Sequence, residues 1–247
     1  TWRGSLADFR HHAKGRCQIR LPDHHHALKA CGIKGNPSAL EEGRRIHNTW
    51  MPKTPQGHQV LLLNSLIDMY GKCASVQEAL EVFTLLGREG KRDVVSWNSM
   101  LDTYKSSKQP DAALQLFEQM KSEDVRPDTT TYVIMLHACA GAGALEKGME
   151  IHKRVKELIS ENNPLAAAII RMYAHCNRLD LSETLFREIT IQSPSRLSVW
   201  NAMISAYGQH RRGKEALQVF RQMLSQKVDP SDSTLVSVFL VQRMRDG

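Results

Sequence analysis

The stretch VVSWNSMLDTY, Val94 to Tyr104, returns in altered form as LSVWNAMISAY, Leu197 to Tyr207. Neither copy contains an arrangement of side chains that is typical of a catalytic centre. An amphipathic pattern that recurs at long range indicates a structural unit stacked on copies of itself. Such a unit should recur at a fixed period along the rest of the chain.

The residues that close each first helix give the length of the unit. Five of them lie 34, 35, 34 and 34 positions apart, and Cys31 precedes the first by 39; the five are Tyr70, Tyr104, Cys139, Tyr173 and Tyr207. A period near 34 is typical of arrays of helical hairpins. The period predicts an all-α chain with about twelve or more helices in antiparallel pairs and no sheet.

One unit shows the order helix, turn, helix. Apolar residues from Val95 to about Lys105 predict the first helix, SSKQP interrupts the pattern, and Asp111 is placed to cap the second helix, DAALQLFEQMKS. Pro127 ends the unit because proline cannot extend a helix. The same order returns in residues 214–230.

The apolar stripes of these helices predict a core. Ala113, Phe117 and Met120 share one helix face at spacings i, i+4 and i+7. Trp97 and Trp200 occupy equivalent positions in the two standard units, so we expect both indoles to be buried against neighbouring helices.

Two further unit types alternate with the standard one. ALEEGRRIH, beginning at Ala39, matches ALEKGMEIH, beginning at Ala144; NSLIDMYGKC, beginning at Asn64, matches AAIIRMYAHC, beginning at Ala167. The order is long, short, standard, repeated once. The predicted array at 21–247 has units at about 21–59, 60–93, 94–128, 129–162, 163–196 and 197–231 and a partial unit at 232–247. We expect residues 1–20 to be a basic N-terminal segment or a degenerate repeat.

Composition narrows the class of protein. Lys and Arg outnumber Asp and Glu by 33 to 26, giving a net charge of +7, which fits a polyanionic partner without identifying one. No stretch reaches the roughly 18 uncharged apolar residues of a membrane span. No phosphate-binding loop or nucleophile-base pair is visible, so neither an enzyme nor a cofactor is predicted.

Metal binding is disfavoured by the cysteines and histidines. The five cysteines show no CxxC spacing. Four of them recur at equivalent positions, as small buried residues do, which indicates a reducing compartment; these are Cys31, Cys73, Cys139 and Cys176. His24, His25 and His26 are adjacent, and adjacent helical residues point in different directions, so a solvated or helix-start cluster is favoured over a metal site.

Together these motifs resemble the pentatricopeptide repeats of the class that mixes P, L and S motifs. VVSWNSMLDTY with DVRPD resembles P, ACAGAGALEKGMEIH resembles L, and LIDMYGKC with EALEVF resembles S; the resemblance covers Leu21 to the C-terminus. Tetratricopeptide repeats share the period, but their early Trp, Gly and Tyr pattern is missing here. The resemblance implies a right-handed α-solenoid that binds single-stranded RNA in a mitochondrion or chloroplast.

The resemblance also implies which residues read bases. In this family the fifth position of the first helix and the last position of the unit read the base, and an apolar residue at position two sandwiches it. Carried over, the reading pairs are Asn64 with Asp93, Asn98 with Asp128, and Asn201 with Ser231. The first two resemble uracil-type pairs and the third a cytosine-type pair. The expected wedges are Leu61 and Val95, and Lys72 at position thirteen resembles a phosphate contact.

Other positions depart from the family's pattern. Val133 and Val236 occupy position five of the long units and predict no hydrogen-bond readout, and the pair Ala167 and Arg196 predicts a silent or electrostatic unit. Ser198 replaces an apolar wedge. The first long unit is irregular, which leaves the role of His25 unassigned.

Three functions remain open from the sequence. The first is an organellar RNA-binding adaptor in editing, processing, stability or translation, with the RNA 5′ end towards the protein N-terminus and a preferred run U-U-N-N-C. The second is a structural subunit of an organellar ribonucleoprotein such as a mitochondrial ribosome. The third is a protein-binding helical scaffold, in which each asparagine is a cap or a solvated side chain.

Overall fold

The computed structural model describes residues 21–51 and 56–246, and in these ranges the chain is entirely helical. Thirteen α-helices and one short 3₁₀-helix, and no strand, are found there. The predicted all-α class is therefore confirmed. The expectation for residues 1–20 lies outside the described residues.

The helices follow one another in pairs. In chain order they are α1 (Leu21–Lys34), α2 (Pro37–Trp50), α3 (Gln56–Lys72), α4 (Val76–Arg88), α5 (Val94–Ser106), α6 (Pro110–Ser122), α7 (Thr129–Ala142), α8 (Leu145–Arg154), α9 (Asn163–His175), α10 (Leu179–Gln192), α11 (Leu197–Gln209), α12 (Gly213–Ser225) and α13 (Asp232–Asp246). The 3₁₀-helix, Lys156–Leu158, follows α8.

The chain divides into two compact units at the junction of Asp128 and Thr129. In the first unit, α3 packs against both α1 and α5, while α2, α4 and α6 each pack on the first helix of their own pair. In the second unit, α7, α9, α11 and α13 pack in sequence, and α8, α10 and α12 each contact the helix before and the helix after them. Within each unit the first helices of successive pairs are therefore neighbours.

Each hairpin turn passes through one residue in the left-handed region. In the six turns from first to second helix this residue has φ between 54° and 65°; the six are Gly35, Ala74, Lys108, Gly143, Asn177 and Arg211. In five of them the next N–H donates back to the carbonyl of Tyr70, Tyr104, Cys139, Tyr173 or Tyr207, at 2.8–2.9 Å. This bond ends a helix in the Schellman arrangement. The residues that mark the sequence period are thus those that accept the closing hydrogen bond.

The start of helix α6 differs from the one predicted from the sequence. Helix α6 begins at Pro110, and its N-cap residue Gln109 makes no side-chain capping bond. Proline suits the first helical position because its fixed φ is already helical and it has no N–H to satisfy. Asp111 therefore lies inside the first turn, and the prediction that it caps this helix is wrong.

Both tryptophans are fully buried, as predicted. Trp97 packs edge-on against Phe83 with ring centroids 4.9 Å apart, and Trp200 against Phe186 at 5.0 Å. The two sites differ in one bond. The Trp200 Nε1 donates to the carbonyl of Pro194 at 2.7 Å, whereas the buried Trp97 Nε1 has no partner among the described residues.

A glycine in each long unit permits close helix packing. A Cβ at Gly43 would clash with the side chain of Met69, and one at Gly148 would clash with Met172. The glycines of ALEEG and ALEKG therefore leave the space that the end of each methionine side chain fills.

A histidine of each long unit bonds a tyrosine of the following short unit. His47 Nδ1 lies 2.9 Å from the Tyr70 hydroxyl, and His152 Nδ1 lies 2.7 Å from the Tyr173 hydroxyl. Burial lowers the pKa of both imidazoles below the ordinary value. The neutral form is therefore the one that the fold stabilises.

Candidate nucleic-acid interface

The most complete site is built on Asn64 in α3 and Asp93, the N-cap residue of α5. The Asn64 Nδ2 donates to both carboxylate oxygens of Asp93, at 3.1 and 3.3 Å. Asp93 is itself fixed, because its Oδ1 accepts the Ser96 N–H at 2.8 Å while the Ser96 hydroxyl accepts the Asp93 N–H at 2.9 Å. This reciprocal capping box holds the carboxylate beside the asparagine.

The orientation of the Asn64 amide follows from its partner. An ionised carboxylate only accepts hydrogen bonds, so the NH₂ side of the amide must face Asp93. The Asn64 Oδ1 is then left buried without a hydrogen-bond partner among the described residues. A buried carbonyl oxygen of this kind is a site for a donor that the protein does not supply.

A cavity of about 500 Å³ opens over this pair. Leu61 and Val95 line it together with Asn64 and Asp93. Both apolar side chains are about half exposed, at 51% and 52%, in contrast to the buried core residues of the same helices. The cavity thus combines two apolar walls with a polar floor that carries one free acceptor.

The same pairing recurs one hairpin later in the first unit. The Asn98 Nδ2, in α5, donates to the Asp128 Oδ1 at 3.1 Å. Both predicted uracil-type pairs are therefore in hydrogen-bond contact, although they are separated by 29 and 30 residues in sequence.

The Asn201 site in the second unit is different. The Thr234 hydroxyl donates to the Asn201 Oδ1 at 2.7 Å, and Nδ2 lies 3.5 Å from the Ser231 hydroxyl and 3.3 Å from that of Ser233. Thr234 is fully buried. The carbonyl oxygen of this amide therefore already accepts one short hydrogen bond, whereas the amine side makes only long contacts.

Several segments of this array of paired helices match the profiles of a known repeat family. The PPR repeat family profile matches residues 92–141, and the PPR repeat profile matches 62–90, 130–158 and 198–228. The chain belongs to the pentatricopeptide repeat family. Two chloroplastic pentatricopeptide repeat-containing proteins of Arabidopsis thaliana are similar to it. One is 38% identical over 81% of this chain and 24% of its own length, and the other, CRR2, is 33% identical over 86% of this chain and 32% of its own length. The chain thus spans a quarter to a third of these relatives.

Solved pentatricopeptide repeat structures share the fold. PPR10 from maize matches with a TM-score of 0.67 and 19% identity, over 94% of this chain and 38% of that chain. PPR10 in complex with an 18-nucleotide psaJ RNA element matches with a TM-score of 0.63 and 14% identity, over 98% of this chain and 41% of that chain. The predicted α-solenoid of helix-turn-helix repeats is therefore the fold class of this chain.

Two residues of the first repeat complete the Asn64 cavity, and one of them is the histidine whose role the sequence left unassigned. His25 and Lys29, on α1, line the cavity, and the His25 Nδ1 lies 2.6 Å from the Ser65 hydroxyl. Burial, followed by the charges of His26 and Lys29, lowers the pKa of His25. Aligning Cys31 with Cys139 would have placed His25 at the position of Val133, the fifth of its unit.

The predicted phosphate contact, Lys72, is engaged within the protein. Its Nζ forms an ion pair with the Asp68 Oδ2 at 2.7 Å, and both side chains are about 40% exposed. Exposed pairs of this kind contribute about 0.3–0.5 kcal/mol on a helix. Asp68 thus competes with any phosphate for this lysine, although at low cost.

The repeat that pairs Ala167 with Arg196 contains a second arginine, Arg171, to which the sequence assigned no role. The Arg196 Nη1 donates to the Ile159 carbonyl at 2.9 Å, which ties it to the protein. Arg171, one helical turn beyond Ala167 on α9, is half-buried and its guanidinium makes no ion pair or hydrogen bond within the described ranges. Burial lowers its pKa. In the repeats with Asn64 and Asn98 the equivalent position carries Asp68 and Asp102.

The described part of the chain shows neither a metal-binding cluster nor a membrane-spanning helix. No group of three or more His, Cys, Asp or Glu residues in the described ranges could hold a metal ion. The four cysteines described are free, and burial raises the pKa of Cys31 to about 11 and that of Cys139 to about 12. None of the described helices has the length and apolar character needed to cross a bilayer.

Proposed function

We propose that this chain binds single-stranded RNA and reads pyrimidines through Asn64 with Asp93, Asn98 with Asp128, and Asn201 with Ser231. The observation that carries the proposal is the Asn64 cavity. Its amide is held by a carboxylate, its carbonyl oxygen is buried and unpartnered, and its walls are half-exposed apolar side chains. These are the features that a splayed base requires, since its faces need apolar cover and its edge needs hydrogen bonds.

Uracil fits this cavity better than the other bases. The uracil N3–H is a donor between two carbonyl acceptors. The Asn64 Oδ1 accepts from N3–H, and the N–H of Nδ2 that is not directed at Asp93 donates to an adjacent carbonyl oxygen. Cytosine presents an acceptor at N3, which would face the Asn64 Oδ1 and leave both lone pairs unsatisfied. The repeat with Asn98 and Asp128 carries the same pair and takes the next uracil.

The wider assignment rests on the family. We propose repeats of mixed P, L and S type with the unit boundaries given by the 34-residue period, and an adaptor role in RNA editing, processing, stability or translation rather than an enzymatic one. The similar proteins CRR2 and its relative are named as chloroplastic, which supports an organelle, and the chloroplast in particular. Lys72 and Arg171 supply cations for the RNA backbone.

The test is binding to two single-stranded oligonucleotides that are identical except at the three read positions, U-U-N-N-C against A-A-N-N-G. Fluorescence anisotropy is measured at fixed salt and then across a salt series. We expect tighter binding to U-U-N-N-C, by several-fold for each good contact, and an affinity that falls as salt rises.

The other functions give distinct results in the same assay. Salt-dependent binding with equal affinity for both sequences would replace base readout by the role of a ribonucleoprotein subunit. An absence of RNA binding at low salt would leave a protein-binding scaffold. A variant with Asn64→Ala and Asn98→Ala should lose the preference for uracil at the first two read positions, while it keeps the preference at the Asn201 position and the salt dependence.

A further inference from the structure

We infer that Thr234 is a specificity-determining residue, which makes the Asn201 repeat select a base with an acceptor edge, cytosine, over uracil. The inference deepens the proposed function and rests on it. Thr234 contacts Asn201 and not the base, so it acts by positioning the amide. It belongs to the helix that follows the repeat, outside both predicted reading positions.

The shortest hydrogen bond of the Thr234 hydroxyl is to Asn201. The Thr234 Oγ1 accepts the backbone N–H of Ser231 at 3.0 Å and lies 3.0 Å from the Ser231 hydroxyl, which can donate to it. Its own hydrogen then donates to the Asn201 Oδ1, which lies 2.7 Å away. Because Thr234 is fully buried, water does not compete for this hydrogen. The carbonyl oxygen of Asn201 is thus held by the protein.

The two kinds of repeat therefore offer opposite groups to a base. At Asn64, the Asp93 carboxylate takes the amine side and leaves the carbonyl acceptor for a base donor. At Asn201, the Thr234 hydroxyl takes the carbonyl side, and the Nδ2 hydrogens have only long contacts to Ser231 and Ser233. An amine donor complements the N3 and O2 acceptors of cytosine, and it meets the uracil N3–H donor to donor.

The position of Thr234 in other repeats supports the assignment. The third residue of the next helix is buried in all five comparable cases. After the repeats with asparagine it is hydroxylic, namely Ser96, Thr131 and Thr234; after those with Val133 and Ala167 it is apolar, namely Leu165 and Val199. A buried hydroxyl therefore accompanies a reading amide in every one of these repeats.

Ser96 shows that the hydroxyl alone does not set the amide. Its Oγ donates to the Asp93 carbonyl at 2.7 Å and accepts the Asp93 N–H at 2.9 Å, so it serves the cap and does not bond to Asn64. The carboxylate orients the amide there. Ser96 therefore acts on the amide only through Asp93, whereas Thr234 contacts the amide of Asn201 itself.

The experiment measures cytosine over uracil preference at the Asn201 position, with the rest of the oligonucleotide and the salt fixed. We expect the wild type to prefer cytosine several-fold, Thr234→Val to bring the ratio close to one, and Thr234→Ser to restore it. Valine is accepted at this position elsewhere, as Val199. If Thr234→Val does not fold by circular dichroism, Thr234→Ala removes the hydroxyl with a smaller side chain.

The result that would overturn the inference differs from the result that would overturn the proposed function. Thr190→Val removes a hydroxyl that donates only to backbone carbonyls of its own helix α10, at 2.8 and 3.3 Å, and should leave the cytosine preference unchanged. A cytosine preference that survives in both Thr234→Val and Thr234→Ala would overturn the inference and leave RNA binding intact. Wild-type affinity that is independent of base and salt would overturn the proposed function and the inference together.

Discussion

Replacing Asp93 by serine should weaken the uracil preference of the Asn64 repeat without unfolding it. Asp93 has two tasks: it caps α5 through the Ser96 N–H at 2.8 Å, and it holds the Asn64 Nδ2 at 3.1 and 3.3 Å. Serine caps helices about as well as aspartate. The first task is therefore retained and the second is lost.

The size of the effect follows from which bonds change. A cap exchanged between Asp and Ser should alter the free energy of unfolding by about 0.5 kcal/mol or less. The loss of the carboxylate allows the amide to turn over, so its carbonyl is no longer directed at the uracil N3–H. Base discrimination per hydrogen-bonding residue is at most about 1–3 kcal/mol. We expect about 1 kcal/mol of this to be lost, a change of about fivefold in the ratio of uracil to cytosine affinity.

The assay is anisotropy with oligonucleotides that carry either uracil or cytosine at the Asn64 position. Removal of a negative charge raises affinity for any RNA, so the ratio of the two dissociation constants is the informative quantity. Asp111→Ser removes the same charge from the first turn of α6 and should leave the ratio unchanged. The double variant Asp93→Ser with Ser96→Thr reproduces the Ser231 and Thr234 pair and should favour cytosine. An unchanged ratio in Asp93→Ser would refute the role of the carboxylate in orienting the amide.

Three further outcomes are expected. Trp97→Ala should lower the free energy of unfolding in urea by about 3–5 kcal/mol because the indole is fully buried. Trp200→Phe should lower it by about 1 kcal/mol more than Trp97→Phe does, because of the two indoles only that of Trp200 has a hydrogen bond to lose. Equal losses in the two phenylalanine variants would contradict this reasoning. Arg171→Gln should lower the slope of log affinity against log salt by about one, without changing base preference, and an unchanged slope would remove Arg171 from the RNA contact. Since burial lowers the pKa of His152, the unfolded chain binds more protons there, so the melting temperature should hold above about pH 7 and fall as pH drops below the ordinary histidine pKa of about 6.5; His152→Gln should flatten this dependence, and an identical pH profile would exclude the histidine.

Sequence periodicity predicted the helical pairs because the period is tied to a physical event in every repeat. Tyr70, Tyr104 and their equivalents accept the hydrogen bond that closes a helix, so they recur wherever a hairpin turns. The start of α6 was placed wrongly because Asp111 and Pro110 are both compatible with a helix N-terminus. Local signals of equal strength at adjacent positions leave the exact first residue undetermined.

The candidate site was predicted in its pairs but not in its surroundings. Asn64 with Asp93 and Asn98 with Asp128 could be assigned by their repeat positions, and the hydrogen bonds bring each pair together. The wall formed by His25 could not, because the first repeat departs from the regular length. The pairing of Lys72 with Asp68 depends on rotamers and competing charges, which position in a repeat does not determine.

In the proposed readout, base choice and helix capping are carried by the same residues, and this limits which residues can read. Asp93 caps α5 while it holds Asn64. Ser231 accepts the Thr234 N–H at 3.4 Å while Thr234 holds Asn201. A residue at the end of a repeat must therefore satisfy an N–H of the next helix and also leave one side of an amide free. Aspartate, serine and asparagine are the side chains that cap well and are short enough to do both. We therefore expect exchange among these three to alter base preference at little cost in folding, because the cap survives each exchange. An apolar or long residue at this position, such as Arg196, makes no side-chain capping bond, and the repeat that it ends has alanine in place of the reading amide.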